Sequence, residues 1–247
     1  MGIDTGPILM KRLDQLSVRI FADGADLETM RALYHQPHIK GFTTNPTLMR
    51  KAGINDYRGF ARQALAAVPD KPISFEVFSD DFGEMERQAH EIASWADNVY
   101  VKIPVTNTRR ESARDLVHRL SHSGVKVNVT ALLSLDQVSE MTNALTGGAA
   151  ACISVFAGRV ADTGCDPVPL MARAVEILRD APGTELVWAS PRELLNIFQA
   201  DAVGCHIITV TSDILKKLHL VGRCLEDYSL ETVKMFHDDA ERAGYEL

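Results

Sequence analysis

The chain has 247 residues, 46% of them hydrophobic and 24% charged, a balance that excludes a disordered, collagen-like or coiled-coil protein. Its formal charge is -7, from 26 Lys plus Arg against 33 Asp plus Glu, which argues against a protein that coats nucleic acid. A small phosphorylated substrate stays open, because it needs only a local cationic pocket.

Residues 1–16 precede the first apolar run and read as an N-terminal extension. Short apolar runs, often rich in β-branched residues, then recur at 18–22, 39–42, 73–77, 99–103, 125–129, 151–155, 185–189 and 205–210. Runs of this length and composition suit parallel strands buried on both faces. Amphipathic stretches alternate with them. Residues 82–95 place Met85, Ala89, Ile92 and Ala93 on one helical face, and 109–120 do the same with Ala113, Leu116, Val117 and Leu120. Further helical patterns cover 135–145, 168–178, 193–203 and 212–218. A last helix is predicted over 229–242, opening on Ser229 as its cap.

This alternation predicts an α/β fold, a single (β/α)8 TIM barrel spanning 1–247 with an extra C-terminal helix. An open doubly wound sheet is the alternative that periodicity leaves standing. ADGAD stands at 22–26 where a dinucleotide-binding GxGxxG would follow the first strand, and no GxxxxGK[ST] occurs. Cys152, Cys165, Cys205 and Cys224 form no CxxC pair and read as reduced thiols, mostly core fillers. The histidines, His35, His38, His90 and His206 among them, form no HxH or HExxH, so neither metal nor other cofactor is expected. The opening MGIDTGPILMKRLDQ has no signal-peptide core, and no run of about 18 apolar residues follows. A cytoplasmic protein without nucleic-acid or membrane partners is the expectation.

A buried strand carries a charge only where the charge is paired or used. Here polar residues gather at strand C-termini, the end at which barrels keep their chemistry: Asp23, Asn45, Glu76, Lys102, Asn128, Thr130, Ser154 and Ser190. Lys102 is flanked by Tyr100, Val101, Ile103 and Pro104. Desolvation there would favour the neutral amine, a nucleophile suited to a Schiff base, although a lysine reaching out to solvent has the same local sequence. Glu76 and Asp23 are acid/base candidates. The alternatives are an ion pair between Glu76 and Lys102, and a helix cap for Asp23. Arg159, after strand six, and Arg192, which follows Ser190 and Pro191, could form an anion site at a helix N-terminus. They could equally be surface arginines bonded to Asp162 and Glu193.

The motifs GFTTNPTLMRKAG (41–53), ISFEV (73–77), YVKIPVT (100–106), VNVTALLSLDQ (127–137), SVFAGRVAD (154–162) and ASPR (189–192) stand in this order. With them the chain resembles the transaldolases, in the short branch that also contains fructose-6-phosphate aldolase. The resemblance implies a (β/α)8 barrel with Lys102 as Schiff-base lysine and Asp23 as acid/base. It implies that Glu76 and Thr130 hold a catalytic water, and that Asn45, Asn128 and Ser154 bind the dihydroxyacetone portion. It further implies phosphate binding by Arg159, Ser190 and Arg192. Glu76 and Phe156 match the transaldolases, whereas the aldolases have Gln and Tyr, whose hydroxyl helps protonate the enamine. Transfer from a ketose phosphate to an aldose phosphate is therefore the implied reaction. An aldolase releasing dihydroxyacetone and a non-catalytic sugar-phosphate-binding barrel are the rivals. The resemblance also implies a homo-oligomer, a pentamer or decamer, in which the final helix packs on a neighbour. Pro191 and Glu193 depart from the family pattern, and an acidic neighbour would weaken phosphate binding.

Overall fold

The computed structural model describes residues 11–246; most of the N-terminal extension, 1–10, lies outside them. Strands β1 (Arg19–Asp23), β2 (Ile39–Thr43), β3 (Ile73–Glu76), β4 (Val99–Pro104), β5 (Val127–Leu132), β6 (Ala151–Val155), β7 (Thr184–Trp188) and β8 (Ile207–Thr211) are all parallel. They close in sequence order into an eight-stranded barrel, with β8 returning to β1. Around them run α1 (Leu27–Tyr34), α2 (Pro46–Lys51), α3 (Tyr57–Ala67), α4 (Phe82–Ala93), α5 (Arg114–His122), α6 (Leu135–Leu145), α7 (Ala157–Asp162), α8 (Pro167–Leu178), α9 (Leu195–Ala202), α10 (Ser212–Leu215) and α11 (Leu225–Ala243). The expected (β/α)8 barrel with a C-terminal helix is the observed fold, and the open sheet is excluded.

Two-residue periodicity divides each strand between two cores. Outward-facing Ile39, Ile73, Val101, Val127, Ile153 and Leu186 meet Phe60, Met85, Leu116 and Met141 of the helices. The inner face is apolar only at the N-terminal end, where Phe21, Cys152, Val187 and Ile207 pack with Tyr100. Two residues further along the same inward face come Asp23, Lys102 and Ser154, and Thr209 follows Ile207 likewise. The barrel is thus plugged below by apolar side chains and polar above.

Helix starts are fixed by side-chain caps. Asp26 accepts from Thr29 N (2.7 Å), Asn45 from Leu48 N (3.0 Å), Asp56 from Gly59 N (2.9 Å) and Asp81 from Glu84 N (2.9 Å). Each such cap stabilises by about 1 kcal/mol. At the opposite end, the buried Asp201 accepts the main-chain N–H of Ser17 (2.6 Å) and Val18 (3.0 Å) and pairs with Lys11 (2.6 Å), tying the entering chain to α9.

Several expected boundaries shift. β1 starts at Arg19, with Val18 N spent on Asp201, and ends at Asp23 as expected; Asp26, not Asp23, caps α1. β5 runs to Leu132 and takes in both Asn128 and Thr130, which were expected to flank its end. The helix expected from 109 begins at Arg114. Asn107 and Glu111 instead close a loop with a Thr106–Ser112 bridge, and Arg110 adopts φ 64°. The pattern at 212–218 is helical only to Leu215 before a short 3-10 turn. α11 starts four residues before Ser229, on Cys224, which makes no side-chain cap. Helices α2, α3 and α7 were not expected. Cys152 and Cys205 are core residues, whereas Cys165 and Cys224 are exposed.

Candidate active site

A cavity of about 650 Å³ opens at the C-terminal end of the barrel. Its lining includes Asp23, Asn45, Glu76, Lys102, Asn128, Thr130, Ser154, Phe156, Arg159, Ser190 and Arg192. Every residue singled out from the sequence is therefore in one place. Four of the strands at its floor are in register: Glu76 lies beside Lys102, Lys102 beside Asn128, and Asn128 beside Cys152.

Lys102 is 6% exposed, so the lysine reaching out to solvent is excluded. Its Nζ lies 3.2 Å from Glu76 Oε2 and donates to the Thr44 carbonyl at 3.0 Å. The ion pair considered from sequence is real, and it faces into the cavity. Next to it, Asn128 donates to Ser74 Oγ (3.1 Å) and accepts from Ser154 Oγ (2.7 Å), which fixes the amide's orientation. Asp23 accepts from Thr43 Oγ1 (2.7 Å) and Asn45 Nδ2 (3.4 Å), while Thr43 also bonds Thr209. Burial raises the Asp23 carboxyl above its ordinary range and outweighs the pull of the Lys102 ammonium and the Thr43 hydroxyl.

Thr130 is placed by an irregularity. The β5–β6 register slips between Val129 and Leu132, and Ala131 takes φ 66°, a left-handed conformation that non-glycine residues rarely hold. The Thr130 hydroxyl is buried and finds no protein partner among the described residues. Such bulges and backbone strain recur where a side chain is re-aimed at a site.

The cationic side of the cavity is built by α7 and the loop after β7. Arg159 stands over the Phe156 ring, 5.5 Å from its centre. Arg192 donates from Nη1 to Ser190 Oγ (3.0 Å) and from Nε to Asp162 Oδ1 (2.8 Å), with Nη2 on the other carboxylate oxygen. Its acidic partner is therefore Asp162; Glu193 takes part only through its main chain, its N–H donating to Asn196 Oδ1 and its carbonyl accepting from Asn196 N. The loop is pressed against α7 so closely that a Cβ on Gly158 would meet the Ser190 carbonyl at 1.6 Å, and Ser190 itself sits at φ 60°.

Sequence reasoning missed Lys51, Ser74, Thr209, Thr211 and Asp213, all in or directly beneath the cavity, whereas Thr43, which precedes Asn45 at the end of β2, was among the polar strand-end residues. Thr209 and Thr211 had a signal, since they alternate with apolar residues in the last strand. Among the described residues no group of three or more His, Cys, Asp or Glu could hold a metal ion. No helix among them is long and apolar enough to cross a membrane.

Comparison with known proteins gives the family. The family described as "Transaldolase/Fructose-6-phosphate aldolase" matches residues 20–247. A "Probable transaldolase" of Dehalococcoides mccartyi is 37% identical over 202 residues, covering 81% of this chain and 90% of the relative. Another from Thermoanaerobacter sp. is 32% identical over 231 residues, covering 93% of this chain and 100% of the relative. One from Methanococcus maripaludis is 32% identical over 203 residues, covering 81% and 89%. With a closed barrel, a buried lysine at its mouth and this match over nearly the whole chain, the protein belongs to the transaldolase/fructose-6-phosphate aldolase family.

Proposed function

We propose that this family member is a class I transaldolase, which moves a dihydroxyacetone unit from fructose 6-phosphate or sedoheptulose 7-phosphate to an aldose phosphate. The observation that carries the reading is the buried Lys102 amine 3.2 Å from Glu76, in a cavity that also holds Asp23 and two arginines.

Lys102 Nζ attacks C2 of the ketose. Glu76 and a water held by the Thr130 hydroxyl relay protons to the departing C2 oxygen, so that water leaves and an iminium forms. Asp23 takes the proton of the C4 hydroxyl. The C3–C4 pair of electrons then flows toward the iminium nitrogen, giving an enamine on Lys102 and a free aldehyde phosphate. A second aldose phosphate binds, the enamine carbon attacks its aldehyde, and Asp23 returns the proton. Hydrolysis of the new iminium releases the product ketose. Asn45, Asn128 and Ser154 hold the oxygens of the three-carbon fragment, while Arg159, Ser190 and Arg192 hold the phosphate. Covalent retention of the fragment divides one exchange into two easier halves.

The choice between transfer and release rests on Phe156, which lines the cavity without a hydroxyl. Without a donor there, the enamine waits for an acceptor. Phe156→Tyr is expected to raise the rate of dihydroxyacetone release at the expense of transfer. A coupled assay with and without acceptor aldehyde measures the ratio, and an unchanged ratio would show that position 156 does not set it.

Asp162 competes with a phosphate for Arg192. Exposed pairs of this kind are worth about 0.2–1 kcal/mol, so their removal should matter by up to about fivefold. Asp162→Asn is expected to lower KM for a phosphorylated donor by a few-fold with little change in kcat, and to leave KM for an unphosphorylated ketose unchanged. A raised KM for the phosphorylated donor would mean that Asp162 holds Arg192 in place instead.

The same reading includes a homo-oligomer, a pentamer or decamer, in the cytoplasm. The association alone is supported by α11, which buries no residue and exposes Leu225, Val233, Met235 and Phe236; subunit number and compartment rest on the family resemblance.

A further inference from the structure

The strand that carries Glu76 loses its neighbour just before the site. β2 pairs with β3 only through Phe42–Ile73 and Thr43–Ser74, and Thr44 then closes on the Ser74 carbonyl through its N–H (3.1 Å) and its hydroxyl (2.9 Å). Beyond that point the chain turns at Asn45 into α2. On the other edge β3 stays paired with β4 as far as Glu76–Lys102, and Val77 N donates to the Lys102 carbonyl. The main-chain N–H and C=O of Glu76 therefore point to the side that β2 has left.

Both groups are met by one hydroxyl. Tyr57, the first residue of α3, accepts from Glu76 N at 2.9 Å and donates to Glu76 O at 2.8 Å. Its ring lies edge-on to the buried Phe75 (6.4 Å between centres) and tilted against Trp95 (5.9 Å), with the mostly exposed Phe78 edge-on at 5.3 Å. The Asp56 cap on Gly59 N fixes the helix turn that delivers it. Burial raises the pKa of the hydroxyl, which keeps it a donor.

We propose that Tyr57 is a positioning residue for the reaction: its hydroxyl substitutes for the missing strand and holds Glu76 at proton-transfer distance from Lys102. The inference rests on the Schiff-base reading above. A shift of about 1 Å at a proton-transferring group is enough to slow a reaction severely. Tyr57 touches no reacting atom, so its effect belongs to the chemical step and not to donor binding.

Tyr57→Phe keeps the ring and removes only the hydroxyl. It is expected to lower kcat about tenfold with KM for fructose 6-phosphate within twofold. In a Glu76→Gln background the same change should cost less than twofold, because the group being positioned no longer transfers protons. Phe78→Leu, which disturbs the same aromatic cluster without touching the hydroxyl, should leave kcat near that of the unsubstituted enzyme. Unchanged kcat in Tyr57→Phe would overturn the proposal, as would equal losses in Tyr57→Phe and Phe78→Leu, or an undiminished loss in the Glu76→Gln background. Borohydride trapping of the unsubstituted enzyme separates the two claims. An adduct together with a normal Tyr57→Phe refutes only the positioning role, whereas absence of an adduct refutes the Schiff-base reading and the Tyr57 role with it.

Discussion

Lys102→Met is expected to eliminate turnover while the protein stays folded. The methionine fills nearly the same volume in a site where the lysine is 6% exposed, and such exchanges of unbranched side chains are tolerated in packed surroundings. What is lost is the buried nucleophile: the other amine lining the cavity, Lys51, is exposed, and the remaining polar groups there are carboxylates, amides, hydroxyls and two guanidinium groups. Removing the ammonium also leaves Glu76 without its 3.2 Å partner, so some loss of stability will accompany the change. Activity with fructose 6-phosphate and the melting temperature are the paired readouts. Residual activity near that of the unsubstituted enzyme would remove the mechanism.

Asp23→Asn should separate activity from stability in the opposite sense. Loss of a positioned acid/base typically slows a reaction by about 10²–10⁴-fold, and kcat should fall within that range. Stability should not fall with it. The folded state raises the Asp23 pKa through burial, so the charged carboxylate opposes folding. That penalty is absent below the unfolded-state pKa, grows as pH rises through the folded-state pKa, and is full above it. The neutral amide avoids the penalty and retains acceptance from Thr43, so at neutral pH the melting temperature should be equal or higher. A variant that is both inactive and markedly less stable would show that Asp23 supports the fold. Natural active sites often hold such groups at the expense of stability.

The barrel was legible because its strands are buried on both faces, which forces short apolar runs such as ISFEV and VYVKIP into the sequence. The site was legible for the same reason in reverse. Lys102, Asn128 and Ser154 stand out only because their strands are otherwise apolar. Helix α2 could have been read from Asn45-Pro46, a cap followed by proline at the first helical position, and α3 from Asp56 before Tyr57. Other features are tertiary and leave no local trace. The Thr44 carbonyl meets Lys102 across 58 positions, so that contact has no periodicity to reveal it. Tyr57 reads as an ordinary amphipathic residue, because its role depends on where β2 leaves the sheet. The false helix start at 109 has a similar origin: Asp80 and Glu111 hold the segment as a loop through Thr108 and Arg109.

The most direct measurement is reduction with borohydride in the presence of fructose 6-phosphate, followed by peptide mass spectrometry. The account predicts a three-carbon or six-carbon adduct on the peptide containing Lys102, and its loss in Lys102→Met. No adduct, or one on another lysine such as Lys51 at the cavity rim, would contradict it.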